Sequence, residues 1–202
     1  MIDFFKSYGL ELAGTIASLV YLYYSIREKA WLWPWGIAAS AVSLLVFYQS
    51  ALYADMGLQV YYVTISVYGW LYWISGQSSS NDKSVPIKLL TKRLLLKLLL
   101  VGAALYLLLL AALLKIPMMV DIASSELPYL DALTTAASIV ATWMLARKYI
   151  HHWVFWVMIN TVSMGMYLYK GLYFYGFLFL VYTLGAIVGY REWKRIMQAN
   201  ES

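Results

Sequence analysis

The sequence predicts an all-α integral membrane protein with seven transmembrane helices, organised as two parallel three-helix repeats joined by a linker helix. Three observations predict it. Of 202 residues, 63% are hydrophobic, 17% aromatic and only 12% charged, whereas a soluble domain carries about 25% charged residues. Lipid is therefore the solvent for most of the chain. Several stretches of roughly 17 to 20 residues are nearly free of charge, long enough to cross a hydrocarbon core of about 30 Å as helices, and no alternating pattern of outer-membrane strands occurs. Finally, the segment from Glu11 to Trp73 recurs: shifted by about 120 positions, Asp131 to Trp193 lies on it without a gap.

The matches fall at segment ends and on small or aromatic residues. Thr15 pairs with Thr135, Ala17-Ser18 with Ala137-Ser138, Arg27 with Arg147, Trp33 with Trp153, Tyr62 with Tyr182, Gly69 with Gly189 and Trp73 with Trp193. Shared apolar composition accounts for part of this identity, but not readily for the ungapped register. A duplicated unit of about sixty residues is the simplest reading, and such internal symmetry marks transporter folds.

Taken in order, the spans are expected at about 8 to 26, 32 to 49, 56 to 74, 93 to 114, 129 to 146, 153 to 170 and 172 to 191. The first is kept as a helix rather than a signal peptide, because its loss would leave the second repeat unmatched. Trp31, Trp33 and Trp35 around Pro34 read as an interfacial aromatic belt opening the second span, and His151, His152 and Trp153 hold the equivalent place in the second repeat. The polar run Gly76 to Ser84 has the composition of a flexible linker. The leucine-saturated stretch from Leu94 to Leu114 is apolar on every face and is assigned as a connector with no substrate role. Three domains follow: a first repeat at 1–75, a cytoplasmic linker, connecting helix and outer loop at 76–128, and a second repeat with a cytoplasmic tail at 129–202. Because a three-span repeat ends opposite to where it begins, the connector returns the chain. The repeats then point the same way, as in sugar facilitators of the SWEET kind.

A net charge of +5 could suggest nucleic acid, yet the basic residues sit in short loops beside the spans, so no nucleic-acid partner is expected. Arg27, Lys29, Lys83, Lys88, Lys92, Arg93, Arg147, Lys148, Arg191, Lys194 and Arg195 fall on one side, and Lys6, Lys115 and Lys170 on the other. The positive side is expected to be cytoplasmic, with the N-terminus outside and the C-terminus inside. The chain has no cysteine, which excludes disulfides and a cysteine-ligated metal.

Polar groups within spans are informative, since each costs free energy unless paired or placed along an aqueous path. Asn160 is the deepest amide, and Trp156 lies one turn away on the same helical face. This pair is the best local candidate for a site. Gln59, Tyr62 and Trp70 on the third span and Asp131, Thr135 and Ser138 on the fifth complete the substrate-binding candidates. Each has a structural alternative: an amide or hydroxyl can glue two helices, and an aromatic can anchor at the interface or fill the core. Glu11 and Asp131, symmetry mates near the outer helix ends, could draw in a cation or merely cap their helices.

These residues resemble the Pnu vitamin-transporter family over almost the whole length: Leu52-Tyr53, Leu58-Gln59, Ser66-Val67-Tyr68-Gly69-Trp70 and Trp73 in the first half, then Asp131, Ser138-Ile139-Val140-Ala141, Arg147-Lys148-Tyr149, Trp153, Trp156-Val157-Met158-Ile159-Asn160 and Gly171-Leu172-Tyr173. The resemblance implies facilitated diffusion of an unphosphorylated B-vitamin across a bacterial inner membrane, trapping by a cytoplasmic kinase, and a homotrimer in the lipid bilayer. It places Gln59, Trp156 and Asn160 at the substrate cavity, with Asp131 a weaker match. No cofactor or metal is expected. Thiamine is the first expectation for the substrate, because the last span lacks the acidic residue expected near Phe179 in some nicotinamide riboside members. Nicotinamide riboside is the alternative.

Two other classes are disfavoured. A retinal receptor needs a Schiff-base lysine in the last helix, and Leu172 to Tyr190 has none. An enzyme needs a reactive constellation, and adjacent His151 and His152 on a helix would point about 100° apart, a poor chelating pair.

Overall fold

Every apolar stretch read above forms a helix. The computed structural model describes residues 2–49, 53–75, 85–120 and 125–201, with side chains described at 9, 12–45, 57–75, 85–117, 119 and 125–200. Seven helices follow in order: α1 (Ile2–Ile26), α2 (Leu32–Gln49), α3 (Tyr53–Ser75), α4 (Lys92–Val120), α5 (Pro128–Ala146), α6 (His152–Tyr169) and α7 (Tyr173–Glu201). The fold is the expected all-α one of three, one and three helices, and no strand occurs among the described residues. Helix α7 runs about ten residues beyond the expected span, its last turns carrying Arg191, Lys194 and Arg195. The polar linker Gly76 to Ser84 lies outside the described residues, as does the side chain of Glu11.

Lys92–Pro117, Pro128–Ala146 and Tyr173–Asn200 are long and apolar enough to cross a membrane by length and composition, with mean hydropathies of 2.5, 1.2 and 1.5. The remaining helices have 18 to 25 residues, roughly 27 Å or more of length. Tyrosines, tryptophans and polar residues lower the hydropathy of α3 and α6.

The chain divides into two compact units, Met1–Ile87 with Ala146–Lys148 and Glu192–Ser202, and Lys88–Leu145 with Tyr149–Arg191. In the first, α1 to α3 pack together where small residues admit rings. A Cβ on Gly69 would stand 2.3 Å from the Trp33 ring, and one on Gly36 would stand 3.1 Å from Tyr21. Trp33 is fully buried, whereas Trp31 and Trp35 are 65% and 37% exposed. The interfacial belt is thus only its outer two members. Trp33 is a core residue fitted to Gly69 by shape, since its indole N–H finds no acceptor among the described residues.

Helix α1 ends in a Schellman turn: Lys29 N–H donates to the Tyr24 carbonyl and Glu28 N–H to that of Ser25, leaving Glu28 left-handed with φ 55°. Helix α5 ends likewise, with Tyr149 N–H donating to Met144 and Lys148 at φ 58°. Helix α6 uses the less strained solution, Gly171 at φ 72°.

In the second unit, Leu98 of α4 packs with Val140 and Met144 of α5, joined by Leu94, Leu105, Trp143 and Phe155. The other faces of α4 are exposed leucines, Leu96, Leu99, Leu100, Leu107 and Leu108 among them. The segment leading into α4 is tied to the α5–α6 turn. Lys88 bridges Tyr149, Ile150 N–H donates to the Lys88 carbonyl at 3.1 Å, and Leu90 N–H donates to His151 Nδ1 at 3.2 Å. Trp153 and His152 are 2% and 0% exposed, so they do not form the interfacial counterpart expected of them. Trp153 fills the notch over Gly189 as Trp33 does over Gly69.

Candidate substrate site

Several threonine and serine hydroxyls in the spans are spent on their own helix. Thr64, Thr134, Thr142, Thr161 and Thr183 each donate to the carbonyl four residues back, at 2.7 to 2.9 Å, and Ser18 does the same at 2.9 Å. Such back-bonding is how a membrane helix satisfies a hydroxyl that lipid cannot. Asp131 is engaged too. Ser125 Oγ donates to its carboxylate, Leu127 N–H donates to the same Oγ at 3.1 Å, and the acid sits in the first turn of α5, where a carboxylate faces the positive helix terminus. Its described side-chain partner is thus the Ser125 hydroxyl at the start of α5.

Buried side chains without a described partner stand out against that pattern. Asn160, Ser163 and Ser138 are 5%, 8% and 7% exposed, and none makes a side-chain hydrogen bond among the described residues. Asn160 and Ser163 are three apart on α6, with half-buried Trp156 one turn before Asn160, so the three share a face. On α5 the spacing of Asp131, Thr135, Ser138 and Thr142 likewise draws one stripe, with Thr135 half-buried. An amide with open donors and acceptor, an indole face and buried hydroxyls suit a flat ring carrying polar substituents, the indole by stacking and cation–π attraction.

These five candidates belong to the second unit and the other three to the first. Gln59 and Tyr62 of α3 are half-buried, with the Tyr62 ring 5.6 Å from that of Tyr61, while Trp70 is 38% exposed. Sequence reasoning overlooked Ser40, the repeat equivalent of Asn160 and 7% exposed. The 120-residue register was the signal that pointed to it. It also overlooked an exchange of bulk between the repeats. Gly36 stands where the second repeat has Trp156, and Tyr21 fills the space beside it, while the equivalent of Tyr21 is fully buried Ala141.

A model of the nicotinamide mononucleotide transporter family matches residues 8–195. The chain belongs to that family. It is 28% identical over 202 residues to the nicotinamide riboside transporter PnuC of Escherichia coli, covering 91% of this chain and 84% of that one. It is 25% identical over 186 residues to the riboflavin/roseoflavin transporter RibM of Streptomyces davaonensis, covering 91% and 83%. The crystal structure of the vitamin B3 transporter PnuC superposes with a TM-score of 0.69 at 19% identity, over 94% of this chain and 82% of that one, which shows a shared fold. The protein is a multi-pass membrane protein and a vitamin transporter of the Pnu family.

Proposed function

We propose that this transporter takes up nicotinamide riboside by facilitated diffusion, with trapping by phosphorylation in the cytoplasm. The observation that carries this reading is the likeness to PnuC over nine-tenths of the chain. It reverses the order suggested by the acid-free last span, which put thiamine first: none of the relatives named above is a thiamine carrier. The α6 face agrees chemically, as the nicotinamide ring is cationic and planar and suits Trp156, while Asn160, Ser163 and Ser138 offer partners for ribose hydroxyls and the carboxamide. Gln59, Tyr62, Trp70, Asp131 and Thr135 complete the proposed substrate contacts, with Asp131 in the first turn of α5. Charge placement puts the N-terminus outside and the C-terminus inside a bacterial inner membrane, and a homotrimer is the proposed assembly. The likeness to RibM makes riboflavin the second reading.

Purified protein in liposomes should equilibrate labelled nicotinamide riboside without a sodium or proton gradient. Excess unlabelled riboside should compete, and thiamine and riboflavin should not. Competition by riboflavin alone would transfer the assignment to the second reading, and accumulation only under an applied ion gradient would refute facilitated diffusion.

A further inference from the structure

At the basic end of the first unit, Lys148 Nζ donates to Glu28 Oε1 at 2.7 Å, the two side chains being 2% and 9% exposed. The ammonium also lies 4.2 Å from the centre of the Trp73 ring. Trp73 Nε1–H donates to the Ala146 carbonyl at 3.1 Å, and Trp193 Nε1–H to the Ser25 carbonyl at 2.9 Å. The two indoles pack at 6.1 Å. Each thus caps an end carbonyl of a helix from the other repeat, and the ends of α1, α3 and α5 meet α7 around one ion pair.

We propose that this cluster is a latch that opens and recloses in every transport cycle at the basic end of the molecule. The proposal rests on the chain being a carrier, since release at one end of a carrier built from repeats requires the helix ends there to separate.

Stability does not account for the pair. A buried ion pair is often no better than well-packed apolar side chains, because desolvation offsets the attraction. Both partners also occupy left-handed cap positions, where a residue other than glycine is strained, whereas the α6 cap uses Gly171. An ion pair has what an apolar plug lacks. When separated, both charges are hydrated, and the freed helix carbonyls and indole N–H groups can take water in exchange, so open and closed states differ by less than the contacts alone suggest. The burial that pushes the Lys148 ammonium below its ordinary pKa, against the pull of Glu28, expresses the same tension.

The chain has no cysteine, so a Glu28→Cys/Lys148→Cys variant carries a single thiol pair, which a short bifunctional thiol reagent can join through a reducible link. The expected result in proteoliposomes is loss of uptake on cross-linking and recovery on reduction; undiminished uptake by fully cross-linked protein overturns the latch. A second readout needs neither that variant nor transport. Ser25→Cys places a thiol at a position that is 2% exposed, and a membrane-impermeant maleimide reaches it only when the cluster parts. Adding Glu28→Gln should speed labelling of folded protein by about an order of magnitude, the effect of roughly 1.4 kcal/mol on opening. Equal rates overturn the proposal. Failure of the parent protein to pass any vitamin would instead count against the transport reading.

Discussion

Asn160 is the residue on which the proposed site turns. A buried amide with no side-chain hydrogen bond among the described residues is one that a solute can satisfy, and the cost of leaving such a group unmade, about 1 to 3 kcal/mol, sets the scale of its loss. Asn160→Leu should lower nicotinamide riboside uptake roughly tenfold or more while leaving expression and the thermal transition in place. Unchanged uptake would make it helix glue. Trp156→Leu should weaken binding, read as loss of ligand-dependent quenching of tryptophan fluorescence. His151 supports a different prediction. Burial lowers its pKa below the usual 6.5, and its unprotonated Nδ1 accepts from Leu90; Lys88, Tyr149 and His152 are its titratable neighbours in this turn. Because the folded pKa is the lower one, the contribution is complete above 6.5 and is lost as pH falls through the folded value. The midpoint of thermal unfolding should fall on acidification below 6.5, and His151→Asn, which keeps an acceptor without that proton equilibrium, should flatten the fall. An equal slope in both proteins would remove His151 from the account.

At the scale of elements, the span limits were legible because lipid demands long uncharged helices, and the expected spans match α1 to α7 within a few residues at most ends. Side-chain roles were less so. Trp33 and Lys148 look in sequence like an interfacial anchor and a topological charge, and both are buried. What decides this is the partner at a distance, Gly69 for one and Glu28 for the other, which no local pattern displays. The same holds for the candidate site: the α5 stripe and the Trp156–Asn160 face follow from helical spacing, whereas the Ser125 hydrogen bond to Asp131 and the Ser138 and Ser163 hydroxyls that find no partner among the described residues depend on packing that spacing does not display. The ring-on-glycine notches give a direct test. Gly69→Ala and Gly189→Ala would each drive a methyl into a tryptophan, 2.3 and 2.5 Å away, and should cost roughly 1 to 3 kcal/mol, seen as a lower thermal midpoint in detergent. Gly165→Ala, where no described atom beyond its own helix lies within 4 Å, is the control and should not lower it.

For the whole molecule, the duplication legible in the sequence is written into the contacts: equivalent tryptophans fill equivalent glycine notches, equivalent turns go left-handed at equivalent positions, and indoles from each repeat cap a helix of the other. Glu28 and Lys148 are 120 residues apart, the interval of the repeat itself. Two separate copies of one three-helix unit, meeting across a two-fold axis, would bring a residue on that axis against itself, glutamate against glutamate or lysine against lysine, and like charges so close and so dry repel. Opposite signs at matched places therefore need halves that differ in sequence, as the two repeats of this chain do at positions 28 and 148.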